Sequence, residues 1–293
     1  MHNNTARIKL IASMAIFGTL PLFVRNISVS SGELALYRAT LAAALLIIYF
    51  LAAGKKLNMR EIKKELPLLF FSGAAMGINW ILLFQSYRYT TVSISTLSYY
   101  FAPVIVTVLC PILFRERLTA KQLICSVMAT AGLILVVLFQ KDGGAAQAES
   151  HLLGVLFGLG AALFYAAVII LNKYIKNVGG IERTFFQFIA AIIVLVPYVL
   201  LTDGINLGSL GGIGWGCLIT VGLIHTGITY CLYFSSLREL NGQETAILSY
   251  IDPLVAVIVS VAILGEPIAL PQIAGGILIL GFTLWNELGS SKK

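Results

Sequence analysis

Charge is what this chain has least of. Asp, Glu, Lys and Arg together supply 11% of its 293 residues, against roughly 25% in soluble domains. Hydrophobic residues supply 58%, and the mean hydropathy is +0.92. An ordinary water-soluble domain is excluded, and an integral membrane protein is expected. Histidine occurs three times and cysteine four times. Cys110, Cys125, Cys217 and Cys231 all lie in apolar stretches, with no close pair and no His at ligand spacing. They are expected to pack as small core residues, and no metal or cofactor is expected. The chain has no Walker motif or Gly-rich phosphate loop, so ATP drive would need another subunit. It also lacks an Asp-rich metal motif, a His-Glu-x-x-His and a Ser with a base nearby, so a membrane-embedded transferase or protease is disfavoured and no enzyme activity is expected.

A net charge of +7 invites a nucleic-acid reading, but the basic residues stand in short clusters between apolar spans rather than on one patch. Membrane topology explains them better, and the expected partners are membrane lipids and a small-molecule substrate, with no nucleic acid. A bilayer core of about 30 Å needs roughly 20 apolar residues per helix. Ten stretches qualify: Ile8 to Val24, Leu34 to Ala53, Leu66 to Tyr87, Ser93 to Leu113, Leu123 to Phe139, Leu152 to Asn172, Thr184 to Leu201, Ile213 to Phe234, Gln243 to Leu264 and Pro271 to Leu288. The first resembles a signal peptide, with Arg7 and Lys9 ahead of an apolar run. No Ala-x-Ala-like site precedes Pro21 and many spans follow, so an uncleaved first helix is expected.

Counting Lys and Arg by alternate loops, 16 of the 20 fall on one side if the N-terminus is cytoplasmic. That bias predicts both termini inside. The other side holds Arg25, Arg88 and Lys141, while Arg38 lies within the second span.

One stretch occurs twice. At a constant shift of about 150 residues, Phe84, Ser86, Arg88, Tyr100, Pro103, Glu116 and Gln122 fall on Phe234, Ser236, Arg238, Tyr250, Pro253, Glu266 and Gln272 without a gap. Residues 1–140 and 152–293 are therefore expected to be two five-helix repeats, joined by a flexible Gly, Ala and Gln-rich linker at 141–151. Five is odd, so the second repeat crosses the membrane in the opposite sense. Charge agrees: the basic turn Arg115-Glu116-Arg117 returns as Gly265-Glu266-Pro267 with both arginines gone. The fold class expected is an all-α membrane protein of ten transmembrane helices, in two inverted five-helix repeats around a central cavity.

Four elements together resemble the EamA-type branch of the drug/metabolite transporter superfamily. They are Arg38 in Ala35-Leu36-Tyr37-Arg38, Ala102-Pro103-Val104, Glu116-Arg117-Leu118-Thr119 with Gln122, and Gly265-Glu266-Pro267 with Gln272 and Gly275. The resemblance covers essentially the whole chain. It implies a ten-helix carrier in the inner membrane of a prokaryote, exporting amino acids or other small metabolites by alternating access. Asp252 departs from the apolar residue commoner before that proline, so the family's coupling scheme does not carry over directly.

A carrier needs a polar midplane site reached alternately from each side. In helix four, Ser93, Thr96, Tyr100 and Pro103 share a face at i, i+3, i+7 and i+10, matched in helix nine by Gln243, Ala246, Tyr250 and Pro253. Each proline removes a backbone donor and frees a carbonyl four residues back, which lipid tolerates only beside protein or a wet cavity. Mere kinks and packing tyrosines are the competing reading. Helix three presents Asn79, Trp80 and Phe84, and helix eight Thr226, Thr229, Tyr230 and Tyr233, with Trp80 falling on Tyr230. Aromatic faces at mid-span hold apolar or cationic groups, although aromatic residues near helix ends serve as interface anchors. Tyr99 points about 100° from Tyr100 and ranks lower. The substrate-binding candidates are Asn79, Trp80, Thr96, Tyr100, Tyr230 and Tyr250.

Charges inside spans cost roughly 2.5–3.5 kcal/mol on insertion scales. Arg38 suits a carboxylate or phosphate, or else snorkels or pairs with Glu33. Asp252 sits deeper, where a carboxylate can exchange a proton, hold an amine, or be satisfied by hydroxyls or an arginine. His225 is a titratable candidate or a satisfied core donor. The driving gradient is expected to be protons or the substrate itself. Glu116 and Glu266 match across the repeat but fall on opposite membrane faces, and are expected to cap helices five and ten.

Overall fold

Helix ends in this chain are written as capping boxes. Ser30 accepts the Glu33 N–H at 3.1 Å while Glu33 accepts the Ser30 N–H at 3.1 Å, and Thr119 and Gln122 do the same at 3.2 and 2.8 Å. Between such caps the apolar runs have no alternative but the helix, which satisfies every backbone polar group within itself. The computed structural model describes residues 2–54, 57–114, 119–139, 145–202, 204–237, 240 and 248–290. Among these no strand is present.

The helices are α1 (His2–Gly18), α2 (Leu20–Val24), α3 (Ser31–Ala52), α4 (Met59–Tyr89), α5 (Val92–Tyr99), α6 (Ala102–Phe114), α7 (Ala120–Leu138), α8 (Ala145–Tyr174), α9 (Gly180–Leu201), α10 (Gly212–Ile219), α11 (Thr229–Leu237), α12 (Ile251–Ile258) and α13 (Leu270–Ser290). A π-helical segment, Thr220–Ile228, joins α10 to α11, and a second, Val259–Ile263, extends α12. Among the described residues, seven rods are long and apolar enough to cross a membrane: Asn4–Val24, Ser31–Ala52, Met59–Tyr89, Val92–Leu109, Ser150–Tyr174, Gly180–Leu201 and Gly212–Tyr233. Three shorter apolar helices, Ala120–Val136, Ile251–Ile263 and Leu270–Asn286, complete the ten spans expected. The connector read as a flexible linker is helical from Ala145, because α8 begins there.

The packing repeats across the two halves. Helix α4 packs on α8 and α9, and its counterpart, the run from α10 to α11, packs on α1, α2 and α3. Likewise α5 and α6 pack on α8, and their counterpart α12 packs on α1. Helices α3 and α9, α5 and α12, and α7 and α13 meet their own counterparts. Gly77 lies against Leu195 just as Gly227 lies against Leu45, which fixes the shift in this region at the same spacing as before. Small residues allow these approaches, the way helices associate where lipid is as apolar as leucine. A Cβ on Gly132 would stand 2.6 Å from the Gly275 carbonyl oxygen, so α7 and α13 cross backbone to backbone.

Two bands of loops close the ends. At one end Arg88 donates to the Val29 carbonyl, the Glu33 carboxylate accepts the Asn206 N–H, and Thr90 Oγ1 lies 2.9 Å from His151 Nδ1. At the other, Glu65 Oε1 accepts from Asn177 N and Nδ2 at 3.1 and 3.0 Å. Glu33 is thus engaged by Ser30, Tyr37 and Asn206, and does not pair with Arg38. Glu266 does not cap the last helix either: Gln272 accepts the Ala269 N–H at 2.9 Å instead. Glu116, Gln243, Glu244, Ala246, Arg238 and the lysines at 55–56 and 292–293 lie outside the described residues.

Candidate functional site

Several spans lose their regular course part-way along. The first breaks at Thr19, between α1 and α2, with Pro21 second in the new helix. The fourth breaks between Tyr99 and Ala102, placing Pro103 second in α6, and the ninth breaks at Tyr250, placing Pro253 third in α12. A proline in the first helical turn lacks an N–H that has no helical partner anyway. The prolines therefore restart helices after a break rather than kink them from within. In the eighth span the π segment widens the turn. Thr226 Oγ1 donates to the Val221 carbonyl and Thr229 Oγ1 to the Ile224 carbonyl, at 2.8 and 2.7 Å and five residues back. Such π segments concentrate at functional sites. Gly18 lets the first break approach the ninth span, since a Cβ there would stand 2.6 Å from the Asp252 carbonyl oxygen.

These breaks surround a cavity of about 570 Å³. Its aromatic wall is built from Trp80, Tyr87, Tyr99, Tyr100, Tyr165, Tyr230, Tyr233 and Tyr250. The rings run in contact from Phe17 to Tyr230 at 5.3 Å, from Tyr230 to Phe188 at 5.6 Å and from Phe188 to Trp80 at 5.8 Å. On the other side Tyr99 meets Tyr165 at 5.2 Å and Tyr100 at 5.8 Å.

Of the charged residues on the lining, Arg38 and Asp252 meet this aromatic wall from opposite halves. The Arg38 guanidinium lies 4.6 Å from the Trp80 ring centre and 5.7 Å from that of Phe84, and its Nε donates to Thr226 Oγ1 at 2.7 Å. Asp252 accepts from the Tyr100 hydroxyl at 2.7 Å. Ion pairs among the described residues are Arg25–Glu266 and Lys64–Glu61, so Arg38 and Asp252 share the cavity without closing on each other. A cation and an anion that line one cavity without pairing with each other can each meet an opposite charge on a ligand. Each is stabilised meanwhile by one hydrogen bond and, for Arg38, by the ring quadrupole.

The structure gathers Trp80, Thr96, Tyr100, Tyr230, Tyr250, Arg38 and Asp252 on the cavity surface. Asn79 and His225 are not among the lining residues. Asn79 is buried and its Nδ2 donates to the Ala161 carbonyl at 2.6 Å, tying α4 to α8. His225 is buried beside Phe23, with Nε2 3.1 Å from Thr19 Oγ1 and Nδ1 3.3 Å from the Thr220 carbonyl. Ser93 leaves the expected face to donate to Ser260 Oγ at 2.7 Å. Tyr99 lines the cavity because α5 ends there, so the 100° rule no longer separates it from Tyr100. Sequence reasoning also missed Tyr165 and the mouth group Asn172, Arg183 and Gln187. Gln187 Nε2 donates to Ser72 Oγ and to Asn172 Oδ1, both at 2.6 Å. The isolated polar residues Asn172 and Gln187 in apolar spans were the available signal.

The model of the EamA-like transporter family matches residues 5–138 and again 152–286. A Bacillus subtilis protein named uncharacterized transporter YxxF is 30% identical, over 99% of this chain and 93% of its own. A probable biotin transporter of Pseudomonas aeruginosa is 24% identical, over 73% of this chain and 74% of its own. A crystal structure with 15% sequence identity superposes with a TM-score of 0.68 over 98% of this chain and 99% of that one, a likeness of fold.

Proposed function

The chain belongs to the EamA-like transporter family and is a multi-pass membrane transporter rather than an enzyme, and we propose that it moves small zwitterionic or amphipathic metabolites, amino acids foremost, by alternating access. What carries this reading is the pairing of Arg38 and Asp252 across one aromatic cavity without an ion pair between them. A ligand carboxylate would meet Arg38 with charge-assisted hydrogen bonds, its ammonium would meet Asp252, and its apolar part would lie on the Trp80, Tyr99 and Tyr230 rings. The volume suits such a molecule, since small-molecule sites span about 300–1,000 Å³. Thr96 and Tyr250 complete the lining.

Transport is outward, across the inner membrane of a prokaryote with both termini cytoplasmic, driven by a proton gradient or by the substrate's own. Asp252 is the carboxylate through which protons couple. The test is counterflow into proteoliposomes preloaded with unlabelled compound, using labelled neutral amino acids, monocarboxylates without an amine, amines without a carboxylate and sugar phosphates. Trans-stimulated uptake of the zwitterions is expected, and an absence of flux across the panel would remove the reading.

A second reading is a carrier of monocarboxylates, which needs Arg38 alone. The biotin transporter name borne by one relative favours it. Asp252→Asn separates the two: it depresses amino-acid flux under the first and spares carboxylate flux under the second.

A further inference from the structure

Glu266 was expected to serve its own helix, and it does not. Gly265, with φ of 65°, ends the second π segment in a turn that L side chains rarely adopt, and the Glu266 N–H returns to the Ser260 carbonyl at 3.0 Å. That turn folds the carboxylate back across the repeat boundary. Oε2 accepts the Val92 N–H at 2.8 Å and the Ser260 hydroxyl at 2.5 Å, and Oε1 accepts from the Arg25 guanidinium. Ser260 Oγ in turn accepts from Ser93 Oγ at 2.7 Å. One buried carboxylate therefore fastens the end of α2 and the start of α5, both in the first half, to the end of the ninth span in the second.

Its position relative to the cavity matters. Thr96 and Ala256, which line the cavity, lie one helical turn inward of Val92 and Ser260. The knot thus sits one turn beyond the cavity floor. At the other end the lining includes Asn172, Arg183 and Ser249, all half-buried. The last helix does not need this carboxylate, because Gln272 already caps it.

We infer that Glu266 is the latch that holds the transport cavity shut at this end, and that its release from Val92 and Arg25 opens the cavity to that side. This rests on the alternating-access reading. The charge-assisted bonds are strong enough to bias the access equilibrium and discrete enough to break together.

The experiment reads access rather than flux, so it needs no substrate. In full-length protein with the four native cysteines replaced by alanine, Ala256→Cys serves as reporter in right-side-out and inside-out vesicles. The probe is a charged, membrane-impermeant methanethiosulfonate. With Glu266 intact, labelling is fast only from the side of Arg183. In Glu266→Gln, labelling from the opposite side is expected to rise about tenfold, as loss of a charge-assisted bond shifts a two-state equilibrium. Glu266→Ala should give at least as much, and Arg25→Gln a smaller rise. Monodispersity by size exclusion excludes unfolded protein. If both sides reach the reporter equally with and without Glu266, the latch is overturned while alternating access stands. If only one side ever reaches it in any variant, the latch and the alternating-access reading fall together.

Discussion

The two halves share a frame and differ in what they place inside it. Trp80 corresponds to Tyr230, Tyr100 to Tyr250 and Pro103 to Pro253, and in each half an aromatic residue precedes the break and a proline follows it. The charges break the correspondence. Arg38 matches Phe188, and Asp252 matches Ala102. Arg38 and Phe188 even occupy equivalent surroundings, since the cation lies on Trp80 at 4.6 Å and the phenyl ring contacts Tyr230 at 5.6 Å. A strictly symmetric pair would give the cavity two cations or two anions. Divergence of the halves sets Arg38 against Asp252 instead, and so gives a direction in which a dipolar ligand can lie.

Restoring symmetry is therefore the sharpest way to break the comparison. Arg38→Phe makes the first half copy the second and removes the cation that lies on Trp80; kcat/KM for the zwitterion should fall about 100-fold or more, as truncation of a buried charge partner costs several kcal/mol. Counterflow initial rates across a concentration series measure it. Asp252→Ala makes the second half copy the first. It should lower amino-acid counterflow about tenfold and leave monocarboxylate counterflow within about twofold, because no proton gradient drives counterflow and only the ammonium loses a partner. An equal loss for both ligands would show that Asp252 holds the frame through Tyr100 rather than the ligand.

Much of the frame was legible in the residues. Ten apolar runs, an ungapped repeat and an odd number of spans per half required an inverted architecture, and Arg38 and Asp252 stood out because charge inside an apolar run has a cost that needs a reason. Tyr99 was not legible, since helical angles apply only while the helix continues and α5 ends on that residue. Tyr165 was hidden because its repeat counterpart is Ala15, which carries no signal. Glu266 was misassigned for a related cause: spacing favours contacts within one helix, whereas its partners are set by how two halves cross.

Trp80 and Tyr230 offer a finer comparison, because the Arg38 guanidinium lies 4.6 Å from the Trp80 ring centre. Trp80→Ala should raise KM about tenfold by loosening Arg38 as well as removing ring surface, and Tyr230→Ala about threefold, chiefly by removing surface. In an Arg38→Phe background the two substitutions should become alike, and a double-mutant cycle reads this directly. Equal effects in the native background would mean that the stacking on Arg38 contributes nothing to transport.

The smallest effect is expected where the frame is polar without facing the ligand. Asn79 carries a donor in a span that lines the cavity, yet that donor is committed to the Ala161 carbonyl at 2.6 Å and the residue is 2% exposed. The carbonyl belongs to α8 and can keep its helical partner, so Asn79→Leu removes one interhelical bond and strands no charge. Transport should stay within about twofold while the melting temperature in detergent falls by about 2–4 °C, the shift that about 1 kcal/mol produces in a chain of this size class. His225→Gln, on the far side of the first break, should behave likewise, since Thr19 can still be met by an amide. A tenfold loss of transport in Asn79→Leu with unchanged thermal stability would mean that the amide leaves Ala161 for the ligand in another state, and the division between frame and lining would have to be redrawn around it.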